Sequence, residues 1–201
     1  YLYYDGSTWT ERVAGDTGGF MAIWNGRVWG ISNSAAAGAP LWFTFTPGSA
    51  ETFIGMSSIG RAASSIGQLF VAKDARGEET LYLALTDGLD VYDLGNDAWV
   101  RTGLQVPDTS TFWAIRYASG VSWRDKIYYG IRSTIYEYSI AGDKAIIRDI
   151  GFGTGLSPNN GLPTTKGYIV ASMVASHNEV IVALVGNTGD AKTSIIVAWN
   201  G

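Results

Sequence analysis

One short pattern recurs along this chain and leaves few folds open to it: two runs of β-branched and aromatic residues joined by a turn of Asp, Asn and Gly. Its clearest copy is Leu81 to Arg101, where Leu81–Leu85 and Leu89–Tyr92 flank Thr86-Asp87-Gly88 and a second turn at Asp93–Asp97 leads into Ala98-Trp99-Val100-Arg101. Tyr82, Ala84, Val91 and Trp99 suit a pleated surface, while Asp-Gly and Gly-Asn supply the positive φ angles that tight hairpins need. The stretch predicts strand, turn, strand, turn, strand, which is an antiparallel meander.

The same reading holds along the rest of the chain. Leu2-Tyr3-Tyr4, Asp5-Gly6-Ser7 and Thr8–Val13 predict a hairpin, and Phe20–Trp24, Asn25-Gly26 and Arg27–Ser32 predict a second on the strongest short hairpin signal there is. Leu41–Phe45 and Thr52–Met56 follow, joined through Pro47-Gly48. Further strands are expected at Gln68–Ala72, Phe112–Tyr117, Val121–Trp123, Lys126–Ile131, Thr134–Ser139 and Ala145–Ile150. Tyr168–Val174, Glu179–Gly186 and Ser194–Trp199 complete the series. No segment keeps an apolar period of 3.6 for the length of an ordinary helix, so almost no helix is expected.

An aromatic residue sits just before a turn at Tyr4, Phe45, Tyr92, Tyr138 and Trp199, giving spacings of 41, 47, 46 and 61 residues. The last interval holds Gly151–Lys166, rich in Gly, Pro, Asn and Thr, which reads as an inserted surface loop. A period in the forties with four strands per unit predicts an all-β fold, a β-propeller of about five four-stranded antiparallel blades. A sandwich or jelly roll would hold the strands without explaining the repeat. All 201 residues are expected to form one domain, with the loop insertion at 151–166. The chain opens on what read as the third and fourth strands of a blade and stops after a first, second and third. It is therefore expected either to close a ring with one strand to spare or to be a segment of a larger propeller, and Tyr1 in place of an initiator Met fits a processed or partial form.

Asp5-Gly6-Ser7-Thr8-Trp9 and Asp93-Leu94-Gly95-Asn96-Asp97-Ala98-Trp99 resemble the turn between third and fourth strands in kelch-like and Asp-box-like propeller blades. Phe45 to Gly48 and Tyr138 to Asp143 keep the turn and lack the Trp. Over about one blade, Arg27-Val28-Trp29-Gly30 followed by Leu41 to Phe53 resembles propeller-containing bacteriophage tail and adaptor proteins. These resemblances imply a non-catalytic structural or interaction module in a virion or an extracellular assembly, whose partners are other protein subunits.

Composition removes several alternatives. Net charge is −4 and the 14 basic residues are scattered, so the electrostatic footprint of a nucleic-acid binder is missing. No apolar run reaches the roughly 18 residues needed to cross a bilayer and no secretory leader is recognisable, so a soluble chain without a membrane partner is expected. Cysteine is absent and His177 is the one histidine, which leaves zinc and copper without their usual ligands. Asp93–Asp97 and Asn187–Asp190 offer oxygen ligands to calcium, and self-bonded turns account for them equally well. No cofactor is expected.

Asp5, Asp87, Asp90, Asp93, Asp125, Glu137 and Asp149 are the carboxylates from which a glycosidase pair would be drawn, with Arg27, Arg116 and Arg132 as the arginines of a sialidase-like site. Nucleophile-elbow, Walker and dinucleotide motifs are all missing, and the Gly-rich stretches at 15–19 and 151–155 have no helix after them to cradle a phosphate. The 8 tryptophans invite a lectin reading as the alternative, with glycans as a second class of partner. Packing between blades competes for most of them. The candidate binding residues are Trp9, Trp42, Trp99 and Trp123 with the loop amides Asn159 and Asn160.

Overall fold

A computed structural model describes residues 2–11, 21–31, 41–44, 52–54, 66–73, 77–85, 88–105, 118–131, 134–141, 144–150, 168–186 and 194–200. Among them there is no helix. A hairpin of β1 (Leu2–Tyr4) and β2 (Trp9–Glu11) precedes three four-stranded sheets. The first is β3 (Met21–Trp24), β4 (Arg27–Ile31), β5 (Leu41–Thr44) and β6 (Thr52–Ile54). The second is β7 (Ile66–Lys73), β8 (Glu79–Leu85), β9 (Gly88–Asp93) and β10 (Ala98–Gln105). The third is β11 (Ala118–Trp123), β12 (Lys126–Ile131), β13 (Thr134–Ala141) and β14 (Lys144–Asp149). A three-stranded sheet follows, with β15 (Tyr168–Ala175), β16 (Val180–Gly186) and β17 (Ile195–Trp199). Every sheet is an antiparallel meander in chain order, and none closes on itself. The expected strands at Phe112–Tyr117, the loop at 151–166 and the pre-turn residue Phe45 lie outside the described residues.

Turn chemistry explains the hairpins, with one correction. Asn25 and Gly26, at φ 48° and 70°, make the two-residue turn of positive φ that matches strand twist, as Asn-Gly predicts. At the Asp93–Asp97 turn neither Gly95 nor Asn96 takes a positive φ; Asp97 does, at 49°. The reason is that Asp93 already organises the turn, its Oδ1 accepting from the backbone N–H of Gly95 and of Asn96, so the left-handed step falls one residue later, where Asp tolerates it. Arg124 and Asp125 make the same two-residue turn as Asn25-Gly26 without any glycine, at φ 51° and 59°.

The sheets pack face on face, and each interface has one apolar cluster. Trp24, Trp29 and Ile31 of the first four-stranded sheet meet Leu69, Leu81, Leu83 and Tyr92 of the second. Phe70, Tyr82, Leu89 and Leu104 of the second meet Ile127, Tyr129, Ile131 and Tyr138 of the third. Trp123, Tyr128 and Ile135 of the third meet Val170, Met173, Val182 and Trp199 of the last. We call the face that looks back along the chain order the front and the other the rear. The third-strand residues Tyr92, Tyr138 and Trp199 all lie on fronts, which is the structural content of their spacing in the sequence.

Position in the stack is written in the burial of each strand. The inner strands β8 and β12 are buried on both faces over Leu81–Leu85 and Ile127–Ile131, hence their unbroken apolar runs. At the ends of the stack β3 and β17 alternate instead, buried on one face and open on the other. The first strands of the three later sheets are tied by a polar chain: Gln68 Oε1 accepts from Ser119 Oγ at 2.8 Å and Gly120 N at 2.7 Å, and Ser119 Oγ accepts from Met173 N at 3.0 Å. Ser119 is buried, so these bonds fix the three strands in relative register. At Gly130 an added Cβ would come 2.5 Å from Val170 Cγ1, and only glycine allows the last sheet to approach this closely.

Candidate functional site

The aromatic residues single out three places. In the first interface Trp24 closes β3, a two-residue turn follows, and Arg27 and Trp29 begin β4. Against them stands the cross-strand pair Tyr92 and Trp99 of β9 and β10. Trp29 lies 4.9 Å from Tyr92 and 6.0 Å from Trp99, edge-on to both, and Trp24 is edge-on to Tyr92 at 5.5 Å, the geometry that the ring quadrupoles favour. Arg27 Nη1 donates to the Tyr92 hydroxyl and to Asp97 Oδ1, each at 3.3 Å, and Tyr92 itself donates to Asp97. The Trp24 indole N–H donates to Glu79 O at 2.9 Å, a further tie across the interface.

The third interface repeats that design with different residues. Trp123 closes β11, Arg124-Asp125 turns the chain, and Lys126 and Tyr128 take the places of Arg27 and Trp29. Trp199 of β17 packs against Trp123 at 5.7 Å and Tyr128 at 5.1 Å. The guanidinium of Arg124 covers the Trp123 ring at 4.0 Å, and its Nη1 donates to Asn200 O. Lys126 instead pairs within its own sheet, at 2.9 Å from the buried Glu137, which also accepts from Tyr128 Oη. Burial, and then the charge of Glu137, pushes the Tyr128 hydroxyl above its ordinary pKa.

The third place is the hairpin β1–β2. Tyr4 and Trp9 form the same cross-strand pair as Tyr92 and Trp99, with ring centroids 4.9 Å apart. Asp5 Oδ1 accepts from Ser7 N and Thr8 N, each at 2.8 Å, as Asp93 does in its own turn. Both carboxyls are held below their ordinary value, Asp5 chiefly by the backbone N–H of Thr8 and Asp93 chiefly by the Asn96 side chain. Yet Trp9 is 66% exposed and Tyr4 49%, with Leu2 beside them exposed as well.

The candidate binding residues therefore do not converge. Trp123 is buried and Trp99 is half-buried in an interface, so both pack between sheets. Trp42 stands in β5 opposite Gly30 and Phe53. Asn159 and Asn160 lie outside the described residues. Trp9 is the one of the six whose ring the structure presents to solvent. Its partner Tyr4 and the cations Arg27 and Arg124 had no binding role in the sequence reading; the spacing Trp-x-x-Arg-x-Trp at 24–29, echoed by Trp-x-x-Lys-x-Tyr at 123–128, is the signal that marks the junctions.

The other chemistry disperses as well. Arg27 is engaged at the first junction, Glu137 by Lys126 and Tyr128, and Asp93 by its own turn, where its Oδ2 accepts from Asn96 Nδ2 at 2.6 Å. His177 is exposed in the turn between β15 and β16. Among the described residues no three of His, Cys, Asp and Glu are grouped to hold a metal, and no helix is long and apolar enough to cross a membrane.

The fold has solved counterparts. The extracellular domain of the one component system BT4673 from B. thetaiotaomicron superposes with a TM-score of 0.58 at 14% identity, over 88% of this chain and 21% of that one. The extracellular domain of the hybrid two component system BT4673 from the same organism gives 0.59 at 13% identity, over 89% and 22%. The likeness is one of fold alone. No family model matches the chain, and no curated protein matches it in sequence. The chain spans about a fifth of the length of these solved domains.

Proposed function

We propose that this chain is a β-propeller, or a run of blades from a larger one, and that it acts without catalysis as an extracellular interaction module for other protein subunits. The observation that carries the reading is the Tyr4–Trp9 hairpin. A pair of rings that elsewhere in the chain is buried against a neighbouring sheet is here turned to solvent, and amphipathic aromatics on a rigid hairpin are what protein hot spots are made of. The propeller is supported by meanders that follow one another in chain order, by first strands tied to one another, and by a third-strand aromatic on each successive front. The extracellular setting is supported by the solved counterparts, both extracellular domains. A phage tail-like virion is the version of that setting that the blade around Trp29 suggests.

A lectin is the second reading, and the exposed face of Trp9 favours it, since such a face also stacks on sugar rings. One experiment separates the two. A photo-crosslinking phenylalanine analogue placed at position 9, in the chain expressed in its native setting, is expected to give one discrete protein adduct, whereas the analogue at the exposed Leu94 gives none. Equal adducts from both positions overturn the protein-interaction reading. Saturable quenching of tryptophan fluorescence by a glycan, lost in Trp9→Ala, replaces it with the lectin. Turnover of a fluorogenic glycoside by the purified chain ends both in favour of an Asp-box glycosidase.

A further inference from the structure

The stack obeys one rule three times: the rear of each sheet covers the front of the next. Two faces are left over, and they are one of each kind. The front of the β3–β6 sheet carries Ile23, 78% exposed, with Met21 also exposed beside it. The rear of the β15–β17 sheet carries Ile196, 75% exposed, and Val174. In the third four-stranded sheet the front positions matching those around Ile23 include Ile127 and Tyr129, both buried by the sheet before. The register pairs Ile23 with Val28 and Val174 with Ile181, so the exposed residues lie within each face and not at its rim, and none of these four is charged. An apolar face without charge in the middle of a sheet is an interface position.

We infer that the rear of the β15–β17 sheet in one copy of this chain covers the front of the β3–β6 sheet in a second copy, as a continuation of the internal stack. The occupant follows from the molecule itself. Each internal front is covered by an internal rear, the only unpaired rear among the described residues belongs to the last sheet, and a head-to-tail contact between copies is the arrangement that satisfies both leftover faces with the chemistry already used inside. Such a contact is heterologous, so it either closes into a ring of copies or runs on as a filament. This inference needs only the stacked sheets, and it stands or falls apart from the function proposed for the Tyr4–Trp9 hairpin.

Complementary blocking tests it. The unmodified 201-residue chain is expected to gain mass with concentration in sedimentation equilibrium. Ile23→Lys and Ile196→Lys each bury an unpaired ammonium in the contact, so each alone is expected to self-associate at least about tenfold more weakly. Mixed, the two are expected to form a one-to-one dimer, because each retains the face that the other has lost. A strand-type circular dichroism spectrum matching the parent certifies each variant; where one fails, Ile23→Thr or Ile196→Thr takes its place. A parent chain that stays monomeric overturns the inference and leaves the faces to other sheets of a longer polypeptide. A mixture that does not dimerise overturns it too, as does association abolished by Trp9→Lys and unaffected by Ile23→Lys, which would make the hairpin the covered front.

Discussion

The hairpins β1–β2 and β9–β10 are built alike and end up in opposite surroundings. Each sets a Tyr opposite a Trp across a turn that an Asp holds through its Oδ1. Around Tyr92 the preceding sheet adds Trp24, Trp29 and Arg27, leaving the tyrosine 4% exposed, while Tyr4 and Trp9 have no such cover. The difference separates two levels of cause. Sequence within the hairpin makes the turn and the ring pair; the neighbouring sheet makes that pair part of a core. Stability should therefore depend on the covering residues in one hairpin and hardly at all on the rings of the other.

The largest test of that contrast removes the cover. Trp29 is fully buried, so Trp29→Ala opens a cavity between two sheets and is expected to cost about 3–5 kcal/mol in urea unfolding. Trp9→Ala removes a ring that is already mostly in water and should stay within about 0.5 kcal/mol. Similar costs for the two would mean that the hairpins do not differ in the way their surroundings suggest. The next effect is smaller. Arg27→Met keeps the apolar stem over Trp29 but loses the bonds to Tyr92 and Asp97. Because Asp97 is itself exposed, screening limits the ion-pair part, and a loss of about 1 kcal/mol is expected. Adding Tyr92→Phe to Arg27→Met should then cost less than Tyr92→Phe alone, since the two side chains share a network; strict additivity would show that the arginine acts only by packing.

What could be read from the sequence divides along the same line. Hairpins were legible because their causes are local: Asn25-Gly26 predicted its turn, and Gln68–Ala72 and Lys126–Ile131 predicted their strands to within a residue or two at each end. The all-β class and the chain-order meanders followed from them. The sites were not legible, because Trp9, Trp99 and Trp123 look alike as residue types and differ only in what covers them. Covering is a property of the neighbouring sheet, and it arrives from residues up to 76 positions away, as when Arg124 reaches Asn200. A partial signal was present in the unbroken apolar runs of β8 and β12 against the alternation of β3 and β17, which marks inner and outer sheets before any contact is known.

The smallest predicted effect concerns the feature the two hairpins share. In both turns the carboxylate accepts bonds from groups that prefer its charged form, so Asp5 and Asp93 should each titrate below the ordinary value of 3.8 in a side-chain carboxyl NMR titration. The sign for stability follows from the depression. Each turn's contribution is fully present above 3.8 and is lost as the pH falls through the lowered folded value, so acid should loosen both hairpins in the same window, whatever covers them. Asn96→Ala removes the largest cause at Asp93 and should raise its midpoint, leaving that of Asp5 unchanged. Ser7→Ala should raise the Asp5 midpoint only slightly, because the backbone N–H groups of Thr8 and Ser7 outrank the Ser7 hydroxyl there. If Asp93 titrated far below Asp5 and Asn96→Ala left the gap in place, the covering sheet would be reaching into the turn itself, and the separation between local and neighbouring causes would fail where it is simplest to measure.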